Sequence, residues 1–289
     1  MNLTNKNNFP DALVRAIAND PYSKGDSDFS VTELLQPPRI RALKIKHREE
    51  ITEDVEDRIW SLYGQIVHDI LKRANEIDLV EQRFFADFGH HTISAQIDSL
   101  VLKGAVLSDW KFSTAWAFKA NQPPKPEWEA QLNMQAEILR RNGHTVEKLQ
   151  IIGLIRDWQI RDARSNPDYP QAQVVTQSIP MWTPERVDTF IQLRVAMHMS
   201  AESELPECSS EDRWAKPDVY AVVKGKRAIN GGVQFSLEAA EKLCASNPGT
   251  RVEFRKGEST RCSMYCPVSE FCSQFKNENN PSEAQDAVS

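Results

Sequence analysis

Between Leu79 and Ser113 the chain reads as three strand-like segments, LVEQRFFADF, TISAQIDSLVL and AVLSDWKFS, parted only by GHH and KG. Connections this short join neighbouring antiparallel strands, because a parallel pair needs a crossover long enough to hold a helix. A three-stranded meander therefore anchors whatever fold forms. Before it, the acidic segment Glu53–Asp57 opens a helix expected to run to about Asn75, since carboxylates in a first turn oppose the positive end of the helix dipole. After it, a loop with Pro123, Pro124 and Pro126 leads into a helix at about Glu127–Asn142 stopped by Gly143, and KLQIIGLIRDWQI gives a mostly buried strand. The expected order is helix, three strands, helix, strand.

The flanks are less patterned. Residues 1–30 are polar and broken by Pro10, Pro21 and Gly25, with at most a short helix at Asp11–Asn19, so they read as an N-terminal extension to a core at 31–165. Residues 166–275 form an expected accessory region: a short strand near Ile179, a helix at Pro184–Ser200, a polar stretch to Arg213, the hairpin VYAVVKGKRA, the helix SLEAAEKLCASN and the strand RVEFRKG. From Lys276 onward apolar content vanishes, and 276–289 are expected to be a disordered tail.

With 40% hydrophobic and 26% charged residues the composition is that of a globular protein, and a net charge of −6 excludes a polycation that grips nucleic acid by bulk charge. A local basic surface remains compatible with DNA. No apolar run is long enough to cross a bilayer and no signal peptide is apparent, so a cytoplasmic location and no membrane partner are expected. In that reducing compartment the five cysteines call for a role other than disulfides.

Asp109-Trp110-Lys111 lies within the third strand segment, where alternation puts Asp109 and Lys111 on one face and Trp110 on the other. Asp98, in QIDSLV one strand earlier, can be brought beside Asp109 by the meander, and paired carboxylates hold hard cations such as Mg²⁺. Lys111 could then orient or deprotonate an attacking water, or offset charge on a phosphate. Taken singly, D-W-K reads better as a surface ion pair, since short Asp-x-Lys strings are common. Gly64 and His68 lie four apart on the preceding helix, a spacing that lets another backbone approach the glycine while the imidazole points at the same neighbour; a lone helical histidine is more often solvated or structural. Gln131 opens the helix after the D-W-K strand, where its amide could hold the lysine or a phosphate, and Glu81 could add a metal or water ligand. In isolation a plain polar helix face is the better reading of Gln131, and an exposed strand carboxylate an equal reading of Glu81.

In series, G-x-x-x-H, E, I-D, D-W-K and E-x-x-Q-L on a helix–three strands–helix–strand frame, the sequence resembles the RecB-type branch of the PD-(D/E)XK nucleases over roughly residues 30–160. The resemblance implies an α/β restriction-endonuclease-like core, a central mixed sheet flanked by helices, with a C-terminal cysteine-bound accessory region. It implies that His68, Asp98, Asp109 and the backbone carbonyl of Trp110 bind Mg²⁺ or Mn²⁺, that Lys111 assists water attack, that Gln131 orients the site, and that Glu81 joins the catalytic group. The family's helix often reads Q-x-x-x-Y, whereas here Gln135 stands in the tyrosine's place, which weakens a DNA-contact role for that helix. The activity implied is metal-dependent hydrolysis of DNA, as an exonuclease of recombination, repair or phage DNA metabolism acting on single strands or DNA ends, with a recombination or replication protein as a partner. The alternatives are a non-enzymatic DNA-binding scaffold that keeps the fold, and a structure-specific endonuclease.

Cys262, Cys266 and Cys272 follow a C-x3-C-x5-C spacing with a proline after the second, which suits a metal or cluster. Cys208, in a polar loop, is the expected fourth thiolate; Cys244, mid-helix, reads as an inert buried thiol. The resemblance implies a [4Fe–4S] cluster, although the early cysteine usual in that branch is missing from LLQPPRIRAL, and Zn²⁺ suits four cysteines equally. Finally, the basic run Arg39–Arg48, with Arg39, Arg41 and Lys44, is a candidate lining for DNA access, a solvated helix face being an equal reading.

Overall fold

The computed structural model describes residues 2–74, 78–120 and 122–279. The chain divides into two units, one of residues 1–41 and 52–204 and the other of residues 42–51 and 205–289. The elements of the first unit are β1 (Asn2–Thr4), α1 (Asp11–Ala18), β2 (Phe29–Ser30), α2 (Val31–Leu35), α3 (Pro38–Lys46, whose last turn belongs to the second unit), β3 (Thr52–Asp54), α4 (Val55–Leu71), β4 (Leu79–Phe88), β5 (His91–Val101), β6 (Val106–Ser113), α5 (Pro126–Arg141), β7 (Lys148–Ile155), α6 (Ile160–Ser165), β8 (Val174–Ile179) and α7 (Pro184–Ser200). The unit is α/β: a mixed six-stranded sheet flanked by helices, in the order β2-β5-β6-β7-β8 with β4 on the other edge of β5. β2 runs parallel to β5 and β6 parallel to β7, while the β4–β5–β6 meander and the β7–β8 pair are antiparallel.

The expected meander and its two framing helices form as read. α4 is set by Asp54, whose side chain accepts the Glu56 N–H while Asp57 reaches back to the Asp54 N–H, a reciprocal cap. The end expected near Asn75 lies outside the described residues. α5 is the central helix: from Trp128 to Leu139 nearly every residue is buried, and it divides the core into two clusters. One gathers Phe29, Ile93, Met134 and Ile191; the other gathers Ile97, Leu107, Leu132 and Ile151.

Three expectations change. Residues 1–30 are part of the first unit: β1 pairs with β3, and Phe29 and Ser30 pair with Ile93 and Ser94 of β5. The core does not end at 165, because β8 extends the sheet and α7 buries Val187, Ile191 and Val195 in its core. The sequence divides at 204 rather than 165. Lys276 lies within a helix, and the rest of the proposed tail, 280–289, is outside the described residues.

The second unit contains α8 (Ser210–Arg213), β9 (Val219–Lys224), β10 (Arg227–Gln234), α9 (Leu237–Ala245), β11 (Arg251–Arg255), α10 (Thr260–Met264) and α11 (Ser273–Asn279). Its three-stranded antiparallel sheet has β9 in the middle, with Ala221, Val222 and Val223 buried. No helix among the described residues is long and apolar enough to cross a membrane.

Candidate metal centre

The site forms where the sheet opens. β5 and β6 are paired only from Val101↔Val106 to Ser99↔Ser108, and on the same edge of β5 the next partner, β2, begins at Ser94. Between these lies an unpaired stretch of β5 that includes Asp98. A buried backbone group left without a ladder partner needs another one. The Trp110 N–H is met by Oδ2 of Asp98 at 2.7 Å, and the Gln96 carbonyl by Nε2 of Gln135 at 3.0 Å. Gln135, only 2% exposed, therefore fixes α5 into the gap, a structural task that accounts for a glutamine at that position.

One turn earlier on α5, Gln131 spans the catalytic candidates of β6. Its Nε2 donates to Oδ1 of Asp109 at 2.6 Å and its Oε1 accepts from Nζ of Lys111 at 3.2 Å. Lys111 Nζ also lies 2.6 Å from Oδ2 of Asp109, but off the hydrogen-bond direction, so Oδ2 is buried and accepts no hydrogen bond. A buried carboxylate oxygen in that state is costly unless a cation faces it, which here is the Lys111 ammonium. In an extended strand the N–H and C=O of one residue share an edge. The Trp110 carbonyl thus lies on the same opened edge as Asp98.

The other half of the site comes from β4 and α4. His68 Nδ1 is 2.7 Å from Oε1 of Glu81 and 3.7 Å from Oδ1 of Asp98. Oε2 of Glu81 accepts from Nε2 of Gln96 at 2.8 Å, and Oε1 of Gln96 accepts from Arg83 at 2.9 Å. Gln96 and Arg83 are the members that the sequence reading missed. Both sit on strands already assigned, but no local pattern marks either one.

Glu81 has a backbone φ of +51°, a region that a non-glycine residue in a strand seldom enters. The β4–β5 ladder runs on both sides of it, through Val80↔Ser99 and Gln82↔Ile97, and skips only the Glu81–Asp98 step. The alternation flips there. Ile97 and Leu100, three residues apart, are both fully buried, so the two sides of the kink turn opposite parities to the core. The two carboxylates sit together at that crossing point.

Electrostatics follow from the crowding. Burial, and then the Asp109 carboxylate, push the Asp98 carboxyl up to about 7, against the opposing pull of His68, Lys111 and the Trp110 N–H. The hydrogen bond to Glu81 raises His68, outweighing the burial that lowers it. Burial raises Glu81, but the hydrogen bonds from His68 and Gln96 carry it below the usual range. Among the described residues, His68, Glu81 and Asp98 are the one group of three or more metal-binding side chains whose donor atoms all lie within 4.8 Å of one another. Glu81 thus stands closer to the expected ligands than Asp109, which Gln131 and Lys111 hold at the rim.

No protein-family model matches the chain, and no curated protein matches it. Among solved structures it is similar to one titled "Crystal structure of SSO0001", at 14% identity over 65% of this chain and 85% of that chain, with a TM-score of 0.47.

Two sequence expectations meet a different geometry. Gly64 has open space where a Cβ would stand, so among the described residues no other element approaches it closely. The basic run is not an open strip. Arg39 is 5% exposed, and Arg41 lies over the Phe29 ring with Glu33 and Glu202 each 3.8 Å from its guanidinium. Lys44 belongs to the second unit, where its charge acts on the Cys266 thiol.

In that second unit the five cysteines form no disulfide. Burial, with Cys266 and Cys272 nearby, pushes the Cys262 thiol up to about 11, and burial raises Cys266. Gln274 holds Cys208 by both backbone groups, accepting its N–H at 2.9 Å and donating to its carbonyl at 3.0 Å. That ties Cys208 to the segment just after Cys272. The sulfurs sense one another's charge but are not drawn to within 4.8 Å as a set. Cys244 stands apart, bonded to the Thr250 hydroxyl and carbonyl.

Proposed function

We propose that the chain is a divalent-metal-dependent DNA nuclease with a PD-(D/E)XK-type site, acting as an exonuclease. The observation that carries this reading is the His68–Glu81–Asp98 group, whose donor atoms lie within 4.8 Å of one another, with the Asp109–Lys111 pair acting on it from β6. Carboxylates with one imidazole suit Mg²⁺ or Mn²⁺, and such an ion supplies Lewis-acid activation of phosphate and water. His68, Asp98, Asp109 and the Trp110 carbonyl would hold it, with Glu81 as a further donor. In this reading Gln131 keeps the Lys111 ammonium beside Asp109, and Lys111 orients the attacking water and offsets charge gathering on the phosphate oxygens. The water oxygen bonds to phosphorus, the ester P–O bond breaks, and the leaving oxygen takes up a proton. His68, hydrogen-bonded to Glu81, must give up its proton to act as a ligand.

The four cysteines Cys208, Cys262, Cys266 and Cys272 are proposed to hold a [4Fe–4S] cluster or Zn²⁺. Mutual charge among three of them and the Gln274 tie to the fourth support that choice. Either group would staple the C-terminal segment.

The test compares wild type with Lys111→Ala on linear and circular DNA, single- and double-stranded, with Mn²⁺, Mg²⁺ or EDTA. Cleavage should vanish in EDTA and fall at least about a hundredfold in the variant, the usual scale for loss of one charge-stabilising donor. Circles should survive. A folded, metal-loaded wild type that cuts nothing would leave a DNA-binding scaffold as the better reading.

A further inference from the structure

The exposed face of α4 carries more apolar surface than a helix on a finished sheet needs. Trp60 is 57% exposed, Tyr63 43% and, across from them on β6, Phe112 37%. With Val67 and Arg156 they line an open groove of about 450 Å³. The rings form a continuous edge-to-face series, Trp60 to Tyr63 at 5.6 Å and Tyr63 to Phe112 at 6.4 Å between centroids.

Three further facts say what such a groove suits. The Arg156 guanidinium lies 3.6 Å over the Trp60 ring, and no described carboxylate forms an ion pair with it. The neighbouring Asp157, also in the lining, turns Oδ1 to the Ala115 N–H at 2.7 Å. Val67, in the lining, stands next to His68 of the metal centre on α4. Trp60, Gly64 and His68 also follow one another at four-residue spacing along one stripe of α4. Open space at Gly64 leaves the track between ring and imidazole clear. Eight residues at about 1.5 Å each set them about 12 Å apart, the length of three or four stacked nucleotides at about 3.4 Å.

We infer that this groove is a stacking platform for the unpaired bases of a single-stranded DNA, which it feeds toward the metal centre. Flat apolar rings take any base face, and a guanidinium without a described carboxylate partner meets the phosphate chain. A purely aliphatic partner would gain nothing from that cation. The inference rests on the nuclease reading for the direction of the strand, but binding itself needs no catalysis.

Binding of the full chain, in EDTA, is measured by anisotropy on labelled oligothymidylate of about 20 nucleotides, longer than the roughly 4–16 that a single-strand-binding OB fold covers. A base-free sugar–phosphate chain of equal length and a duplex are measured alongside. Trp60→Ala should weaken oligothymidylate binding about tenfold, Trp60→Phe should restore most of it, and neither should alter binding of the base-free chain. Trp60 is exposed, so circular dichroism of both variants should match wild type. Equal affinity of Trp60→Ala and wild type for oligothymidylate overturns the platform, as does equally tight binding of the base-free chain. A change in sedimentation with DNA affinity intact would assign the groove to a second copy and also overturns it. Loss of the Trp60 effect while Lys111-dependent cleavage persists removes the platform alone. A Trp60-dependent affinity without any cleavage keeps the platform and removes the nuclease.

Discussion

His198, 1% exposed on α7, offers Nε2 to the Leu34 carbonyl at 3.2 Å and leaves Nδ1 with no hydrogen-bond partner. Burial, with the positive charges of Arg194 and Arg41 nearby, pushes its pKa down to about 4, against a pull from the Leu34 carbonyl and Glu33. An unfolded histidine takes its proton near 6.5, the folded one only near 4. Between those values the unfolded state binds more protons, so stability falls as pH drops through that window. At pH 5 the loss relative to pH 7 amounts to about 2 kcal/mol, each pKa unit being worth about 1.4 kcal/mol. Urea midpoints of wild type should drop accordingly, and His198→Gln should flatten the difference. An equal pH dependence in the variant would remove the histidine from the account. The sequence marks this residue only as one more helical histidine, indistinguishable from His68. What separates the two is the third dimension: one faces a carbonyl in the core, the other two carboxylates at a sheet opening.

At the scale of elements, the kink at Glu81 joins strand geometry to site geometry. A left-handed glutamate costs roughly 1–2 kcal/mol, which only a constrained surrounding sustains. Glycine takes that conformation freely. Glu81→Gly should therefore be more stable than Glu81→Ala by about 1 kcal/mol in thermal or urea unfolding, although glycine ordinarily weakens a strand. Both variants lose the carboxylate, so the comparison isolates the backbone. An alanine variant as stable as the glycine one would mean that φ relaxes on substitution and that no strain is held there. The meander, α4 and α5 were legible because hydrophobic periodicity, short turns and a cap each pointed the same way. A fainter signal was also present: the buried Ile93, Ala95 and Ile97 give way to Leu100, an odd step in an alternating strand that falls beside Asp98. The splayed β5–β6 edge was not legible, since pairing ends where Gln135 and Asp98 replace ladder partners, and neither residue announces that task locally. β8 was hard to weigh for a related reason, because only Ile179 of it is buried even in the folded chain and no apolar run marks it.

For the whole molecule, the first unit gathers three carboxylates around one lysine and one histidine. Like charges in a partly dry site oppose folding until a cation joins them. Mn²⁺ or Mg²⁺ at about a hundred times its Kd should stabilise that unit by about 2.7 kcal/mol, read as a rise in unfolding temperature. Asp98→Asn should lose the rise, because it removes a ligand while an amide oxygen can still accept the Trp110 N–H. A rise of equal size in the variant would place the ion elsewhere. The division into units was the least legible feature: composition shifts near 166, whereas packing carries the first unit to 204 and takes 42–51 into the second. That excursion has a consequence for synthesis. His47 stacks on Phe271 with ring centroids 4.3 Å apart, a separation in sequence of 224 residues (271 − 47). At roughly 5–20 residues per second the ribosome needs about 10–45 s to deliver the second ring after the first. Throughout that interval His47 stands on a growing chain without the ring it stacks on. The first piece of the second unit is thus made tens of seconds before the ring that stacks on it, a window in which a chaperone has that piece to hold.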